Sequence, residues 1–188
     1  MGFDLSNCER LHNRNIDITT YAYKADAVAL EGRLFDNRTN ISYNMFGEPR
    51  EPGPVHDLIV RMIVRLPKLI IEDVEVEMVT VPNSACPEVI ESLTPLKGEK
   101  ISAGFTTKVQ RLVGGPKGCA HLVSLCRAMA SAAIQGAYSL ASRQSPAQGR
   151  YSKRSFKAVI DTCHIWRSDG PLVTRLNAMS ATDNPLND

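Results

Sequence analysis

The fold is decided by the stretch Leu58-Ile59-Val60-Arg61-Met62-Ile63-Val64-Arg65-Leu66 and by the stretch that follows it, residues 69–81. In both stretches apolar side chains alternate with charged ones, which is the period of a β-strand that is buried on one face. Pro67-Lys68 separates them, so we expect an antiparallel hairpin. In this hairpin the arginines of the first strand can face the glutamates of the second, as Arg61 and Arg65 with Glu75 and Glu77.

Helical periodicity replaces this alternation after residue 82. A short helix is predicted to begin at Cys86-Pro87, because proline suits the first helical position and Glu88 suits the positive end. An amphipathic helix follows over residues 105–113, then a glycine-rich turn over 114–118 and a long helix that runs to about 140. We therefore expect an α+β fold, in which a small antiparallel sheet packs against helices. The predicted core contact joins Leu122, Leu125, Met129 and Ala133 of the long helix to Val60, Met62, Val74 and Val76 of the hairpin.

The rest of the chain gives weaker local signals. A chain of 188 residues suits one domain, 1–188, and we place its core at residues 20–170. Residues 27–36 alternate like a strand, and residues 37–54 read as a long loop. The remaining expectations are an irregular segment at 1–26 with a short strand over 16–23, a polar linker at 143–154, a β-prone run at 156–166 and a frayed tail at 177–188.

Composition limits the class of protein. A hydrophobic content of 43%, a charged content of 22% and a net charge of +2 are ordinary for a soluble globular protein. They give no reason to expect nucleic acid or a membrane as partner, and they leave a protein partner or a small-molecule substrate open. The N-terminus lacks the apolar run of a signal peptide, so we expect a cytoplasmic protein. Five cysteines, an odd number, indicate reduced thiols more than a disulfide framework.

The candidate chemistry centres on Gly118-Cys119-Ala120-His121-Leu122, where the long helix begins. The unpaired N–H groups of a first helical turn favour negative charge, which lowers the pKa of a thiol and keeps an imidazole neutral. A thiolate and a neutral imidazole are the forms that bind metals or attack electrophiles. The two side chains can share one ion only if Cys119 is a non-helical cap, because residues two apart diverge within a regular helix.

Further candidate ligands stand at other element ends. His56 and Asp57 precede the first hairpin strand, and Cys86 follows the second, so antiparallel pairing brings both ends to one edge of the sheet. We expect His56, Cys86, Cys119 and His121 to converge there and hold Zn²⁺ or iron. Asp57 is then either a fifth candidate ligand or the acceptor that fixes a histidine tautomer.

Three motifs in this order, His56-Asp57-Leu58, Cys86-Pro87 and Gly118-Cys119-Ala120-His121-Leu122, resemble an uncharacterised bacterial domain family over roughly residues 20–170. More distantly, the layout is similar to the U-type iron–sulfur scaffold proteins (the NifU N-terminal domain). That similarity implies a NifU-like fold and an iron–sulfur cluster as one cofactor. However, the scaffold's first cysteine has no counterpart here, and its histidine before the last cysteine is Gly118. These differences favour a mononuclear His/Cys site.

Two alternatives remain open. In the first, Cys119 or Cys86 is the nucleophile of a thiol enzyme, with His121 beside it and helix N–H groups receiving an oxyanion. In the second, one of these thiols carries sulfur received from a protein partner. Cys163, followed by His164, can line the same pocket if the C-terminal run folds back onto the sheet edge. Cys126 lies two turns beyond Cys119 on the apolar face and is expected to be core.

Overall fold

The computed structural model describes residues 2–143 and 159–182. Its secondary structure within these ranges is mixed α+β, as predicted. The strands are β1 (His12–Lys24), β2 (Ala27–Arg38), β3 (Ser42–Tyr43), β4 (Pro49–Arg50), β5 (Gly53–Arg65) and β6 (Ile70–Thr80). The α-helices are α1 (Phe105–Val113), α2 (Ala120–Ser142) and α3 (Pro171–Thr182), and two 3₁₀ segments span Cys86–Leu96 and Gly115–Lys117.

A four-stranded antiparallel sheet in the order β1-β2-β5-β6 forms the scaffold. The predicted hairpin is confirmed as β5 and β6, with Arg61 paired to Glu75 in the register. The Arg61 guanidinium bridges Glu77 at 3.0 Å and Glu31 at 2.7 Å. The partners predicted for Arg65 were wrong. Because the strands are antiparallel and Arg61 pairs with Glu75, Arg65 lies opposite Ile70 and contacts Glu72 and Asp26.

The first fifty residues are more regular than the sequence indicated. The predicted short strand extends over all of β1, and β2 continues to Arg38. β1 is an edge strand whose side chains are mostly exposed, so little apolar alternation marks it in the sequence. The predicted loop at 37–54 contains the small hairpin of β3 and β4.

The core lies on one face of the sheet, called here the inner face, which carries Leu30, Leu34, Leu58, Val60 and Met62, all at most 1% exposed. The four predicted helix positions, Leu122, Leu125, Met129 and Ala133, are fully buried. A Cβ at Gly32 of β2 would lie 2.8 Å from the Met129 sulfur, so the missing side chain lets α2 approach closely.

Helix α2 also contacts strands that the predicted core contact did not include. Besides Gly32 in β2, helix α2 meets β1, where the Thr20 hydroxyl donates to the Ala132 carbonyl at 3.4 Å. The 3₁₀ segment Cys86–Leu96 packs against β6. Of the four predicted hairpin positions, Val60, Met62 and Val74 are buried as expected, whereas Val76 of β6 is half-buried.

The predicted helices begin where the sequence placed them. Cys86 opens its segment with Pro87 next, although as a 3₁₀ helix, and α1 has the predicted bounds. Residues 159–170 consist of turns and bends, so the described part of the β-prone run at 156–166 is not a strand. Helix α3 occupies 171–182 in place of the frayed start of the tail. Residues 144–158, with most of the predicted linker, and 183–188 lie outside the described ranges.

The chain divides into two compact units, residues 1–136 and 137–188. The first unit contains the whole sheet, the 3₁₀ segments, α1 and most of α2, and the second contains α3. The single-domain assignment stays a prediction. Among the described helices, none has both the length and the apolar character needed to cross a membrane.

Candidate functional site

A buried carboxylate, Asp36, is the centre of the candidate site. It lies near the end of β2 on the inner face and is 1% exposed. Its register partner on β1 is Arg14, whose guanidinium donates two hydrogen bonds to the carboxylate, at 2.6 and 2.7 Å. Burial raises the pKa of Asp36, but the hydrogen bonds and charge of Arg14, aided by His56 and His12, outweigh it and hold the pKa below its usual value. Asp36 is therefore a fixed negative charge in the sheet.

Three of the four histidines of the chain surround this carboxylate. His56, the register partner of Asp36 on β5, has Nδ1 3.0 Å from Oδ2. His12 on β1 has Nε2 3.4 Å from Oδ1, and His121 in the first turn of α2 has Nε2 3.7 Å from Oδ2. The rings of His56 and His121 are stacked, with centroids 3.8 Å apart and planes tilted by 33°.

Asp36, His56 and His121 have the spacing of a metal-binding group. One ligand atom from each residue lies within 4.8 Å of those of the other two. When neutral His56 donates its Nδ1 hydrogen to Asp36, its Nε2 keeps a lone pair that can bind a metal, an arrangement found around many ligating histidines. Imidazole nitrogen with carboxylate oxygen suits zinc and non-haem iron.

Cys119 stands beside this group as a non-helical cap of α2. Its carbonyl accepts the first helical hydrogen bond, from the Val123 N–H at 3.0 Å. Its sulfur lies 3.6 Å from His121 Nδ1. Burial raises the pKa of the Cys119 thiol, but hydrogen bonds from the His121 ring and from the Leu122 and His121 backbone N–H groups lower it more, so the net pKa lies below its usual value.

The turn before the cap is sterically tight. A Cβ on Gly118 would lie 2.5 Å from the Val113 carbonyl oxygen, so only glycine allows the close approach that delivers Cys119 to this position. The sequence expectation of Cys119 as a cap is confirmed by its position one residue before α2.

Over residues 12–135 the chain matches the family described as Protein of unknown function (DUF2889). The chain is a member of the DUF2889 family. The matched region includes the four-stranded sheet, Asp36, the three histidines around it and Cys119. The expected resemblance to an uncharacterised domain family is confirmed, whereas the similarity to iron–sulfur scaffold proteins stays a prediction. No curated protein and no solved structure matches the chain.

Cys86 does not join the group in this DUF2889 protein. In the part of the chain that the structure describes, no trio of closely spaced ligand atoms includes its thiol. β6 ends at Thr80, which pairs with Asp57, and residues 81–85 then lead away before Cys86 opens its 3₁₀ segment. The antiparallel pairing was predicted correctly, but these five residues carry the thiol away from the edge.

Asp57 also departs from its expected role. Its carboxylate accepts two hydrogen bonds from Arg33, at 2.7 and 2.6 Å. Because adjacent strand residues point to opposite faces, Asp57 lies on the face opposite His56. Asp36 takes the predicted acceptor role. A sequence signal for it existed, since Asp36 continues the inward positions of Leu30 and Leu34 along β2.

The remaining cysteines lie elsewhere. Cys126 is fully buried in α2, as predicted, and burial raises the pKa of its thiol to about 12. Cys163 is an exposed residue in the turns of the second unit, and the expected strand that would carry it is not formed over residues 159–166.

Proposed function

We propose that this DUF2889 protein binds one transition-metal ion, Zn²⁺ or Fe²⁺, at the group Asp36, His56 and His121. The observation that carries the proposal is the spacing of the three ligand atoms, all within 4.8 Å of one another around a buried carboxylate. His56 and His121 are half-buried, and a neutral imidazole has one nitrogen lone pair that can bind an ion.

The charges favour imidazole as the main ligand. Both Asp36 oxygens already accept hydrogen bonds from Arg14, so a carboxylate that also bound the metal would share its charge with a guanidinium. Asp36 then acts chiefly by holding His56 in the tautomer that exposes Nε2. His12 also contacts this carboxylate, with Nε2 3.4 Å from Asp36 Oδ1.

The Cys119 sulfur is not among the three closely spaced ligand atoms. It can be a further ligand when His121 binds the ion through Nδ1, 3.6 Å from the sulfur, while Nε2 keeps its contact of 3.7 Å with Asp36. Zinc binds thiolate at about 2.3 Å and imidazole at about 2.0–2.1 Å, so two such ligands in a tetrahedral site lie about 3.5 Å apart. An iron–sulfur cluster is less well supported, because such clusters rely on several thiolates and Cys86 lies outside the group.

Elemental analysis of protein purified anaerobically and in air tests the proposal. We expect about one metal ion per chain, and a loss of at least about tenfold in affinity for His56→Ala and for His121→Ala. The matched control is His164→Ala, because His164 is exposed and is not among the three histidines around Asp36. Retention of stoichiometric metal by both site variants would contradict the proposal, as would absence of metal from the parent under both conditions.

A second candidate, the thiol enzyme or sulfur carrier, is favoured by one specific observation. The Cys119 sulfur faces one nitrogen of His121, and the other nitrogen points to Asp36 at 3.7 Å. Thiol, imidazole and carboxylate in this order are the parts of an activated nucleophile, in which the imidazole takes the thiol proton. Iodoacetamide labelling separates the two candidates. Protection of Cys119 by Zn²⁺ supports the metal site, whereas labelling unchanged by metal but slowed in His121→Ala supports the nucleophile.

A further inference from the structure

The small hairpin of β3 and β4 presents an ordered apolar tip. The Asn44 side chain accepts hydrogen bonds from the Phe46 and Glu48 N–H groups, at 2.9 and 3.0 Å, which closes the turn. Met45 and Phe46 at the tip are nevertheless 90% and 81% exposed. Large apolar side chains held in a fixed turn and left in water are a signature of an interaction surface.

A cavity of about 250 Å³ opens on the outer face of the sheet, the face opposite the core that α2 covers. Tyr21, Ala29, Ile63 and Asp73 line it in one row across the four strands, since each is the register partner of the next. Tyr23, Glu31, Arg61 and Glu75 also line the cavity. The floor is therefore largely apolar and aromatic, and the rim carries three carboxylates and one guanidinium.

The tip and the cavity match in size and chemistry. At about 30 Å³ for each displaced water, the cavity offers the space of about eight waters, enough for one aromatic and one aliphatic side chain. Methionine sulfur packs favourably against aromatic rings such as those of the two tyrosines. One pair of opposite charges is also available for the contact. Arg50 beside the tip and Glu75 on the rim have no ion-pair partner among the described residues.

The tip cannot reach the row of Tyr21, Ala29, Ile63 and Asp73 in its own chain. The hairpin leaves the sheet after Arg38 and returns at Gly53, whereas Ala29 and Ile63 lie near the other ends of β2 and β5. The ten residues from Gly53 to Ile63 span about 33 Å of strand. The eight residues from Arg38 to Phe46 reach at most about 28 Å even when fully extended.

We propose that a second copy of this chain supplies the tip, so that Met45 and Phe46 of each copy seat in the outer-face cavity of the other. The tip and the cavity lie at opposite ends of the sheet. When two sheets stack in antiparallel orientation about a two-fold axis, each tip meets the cavity of the other copy. Both contacts then form in the same pair, so the assembly closes as a dimer. Arg50 of one copy then meets Glu75 of the other at the rim. This inference does not depend on the metal or thiol chemistry of the inner face.

Sedimentation velocity of the full chain tests the dimer over about 1–100 µM, the range in which moderate interfaces dissociate. We expect the parent to be dimeric and the double variant Met45→Ser, Phe46→Ser to raise the dimer Kd at least about tenfold. Ile165→Ser, which changes an apolar side chain 59% exposed in the second unit, is the matched control and should leave the Kd unchanged. Circular dichroism verifies that each variant is folded.

Charge reversal identifies the contact itself. Arg50→Glu and Glu75→Arg should each weaken the dimer, and their combination in one chain should restore it. A parent that stays monomeric at about 100 µM overturns the proposal, as does a dimer that is insensitive to both the tip and the charge variants. If the monomer sediments with phosphatidylcholine vesicles, the tip binds lipid and the proposal is likewise overturned.

Discussion

Replacing Asp36 with asparagine removes the central charge of the site and leaves the side-chain shape almost unchanged. Arg14 loses the anion for its two hydrogen bonds of 2.6 and 2.7 Å, and His56 loses the anion for its contact of 3.0 Å. Breaking a fully buried ion pair costs about 3–5 kcal/mol. Arg14 keeps 39% of its side chain exposed, so water compensates in part, and we expect a loss of about 2 kcal/mol in the free energy of unfolding.

The matched control is Asp57→Asn. Asp57 is also buried and also accepts two hydrogen bonds from one guanidinium, but it contacts no histidine ring among the described residues. Its partner Arg33 is more exposed than Arg14, so a smaller loss is expected. Urea unfolding at pH 7 measures both values. If Asp36→Asn destabilises the protein no more than Asp57→Asn does, the buried carboxylate is not the electrostatic centre described above.

Three further predictions concern pH, the core and the thiol. The pKa of Asp36 is lower in the folded than in the unfolded protein, so its contribution to stability is complete above the unfolded value of about 3.9 and is lost as the pH falls through the folded value. Urea titrations between pH 6 and about pH 2.5 should show this loss in the parent and lack it in Asp36→Asn. An acid profile that is the same in both proteins would contradict the prediction. Met129→Asp places a charge at a fully buried position and should lower the free energy of unfolding by several kcal/mol. Ser131→Asp, on the exposed face of the same helix, should change it by less than about 0.5 kcal/mol. Similar melting temperatures for the two variants would show that the wrong helix face was assigned to the core. In metal-free protein the alkylation rate of Cys119 should reach half its maximum at a lower pH than that of an unperturbed thiol, because its pKa is lowered. Cys126 should stay unlabelled until the protein unfolds, and peptide mass spectrometry distinguishes the two; a Cys119 profile like that of a free thiol would contradict the prediction.

The local elements of this DUF2889 protein were predictable where burial is one-sided. The β5–β6 hairpin and α1 each bury one face, so the apolar spacing in their sequences directly reflects the packing. β1 was underestimated because it is an edge strand with little burial. The contact of α2 with β2 depends on a glycine, Gly32, which carries no hydropathy signal for a docking position.

The candidate site was predictable only in part. Cys119 and His121 stand at the start of α2 and His56 lies in the first part of β5, and the structure brings their side chains close together. Asp36 was missed because the alternation of β2 was taken as a purely apolar pattern, although its last inward position carries a charge. Arg14, which balances that charge, lies on another strand, so nothing in its own sequence neighbourhood indicates the pairing.

By itself the sequence determined the α+β class, the central hairpin, the helix that begins after Cys119 and the buried state of Cys126. These are properties of short segments, whose periodicity and end residues act over a few positions. Only the tertiary structure decided that Asp36 rather than Asp57 faces the histidines, and that Cys86 lies outside the group. A bulge, a strand end or a five-residue connection changes which face or edge a side chain reaches, and such displacements are set by the packing of the whole sheet.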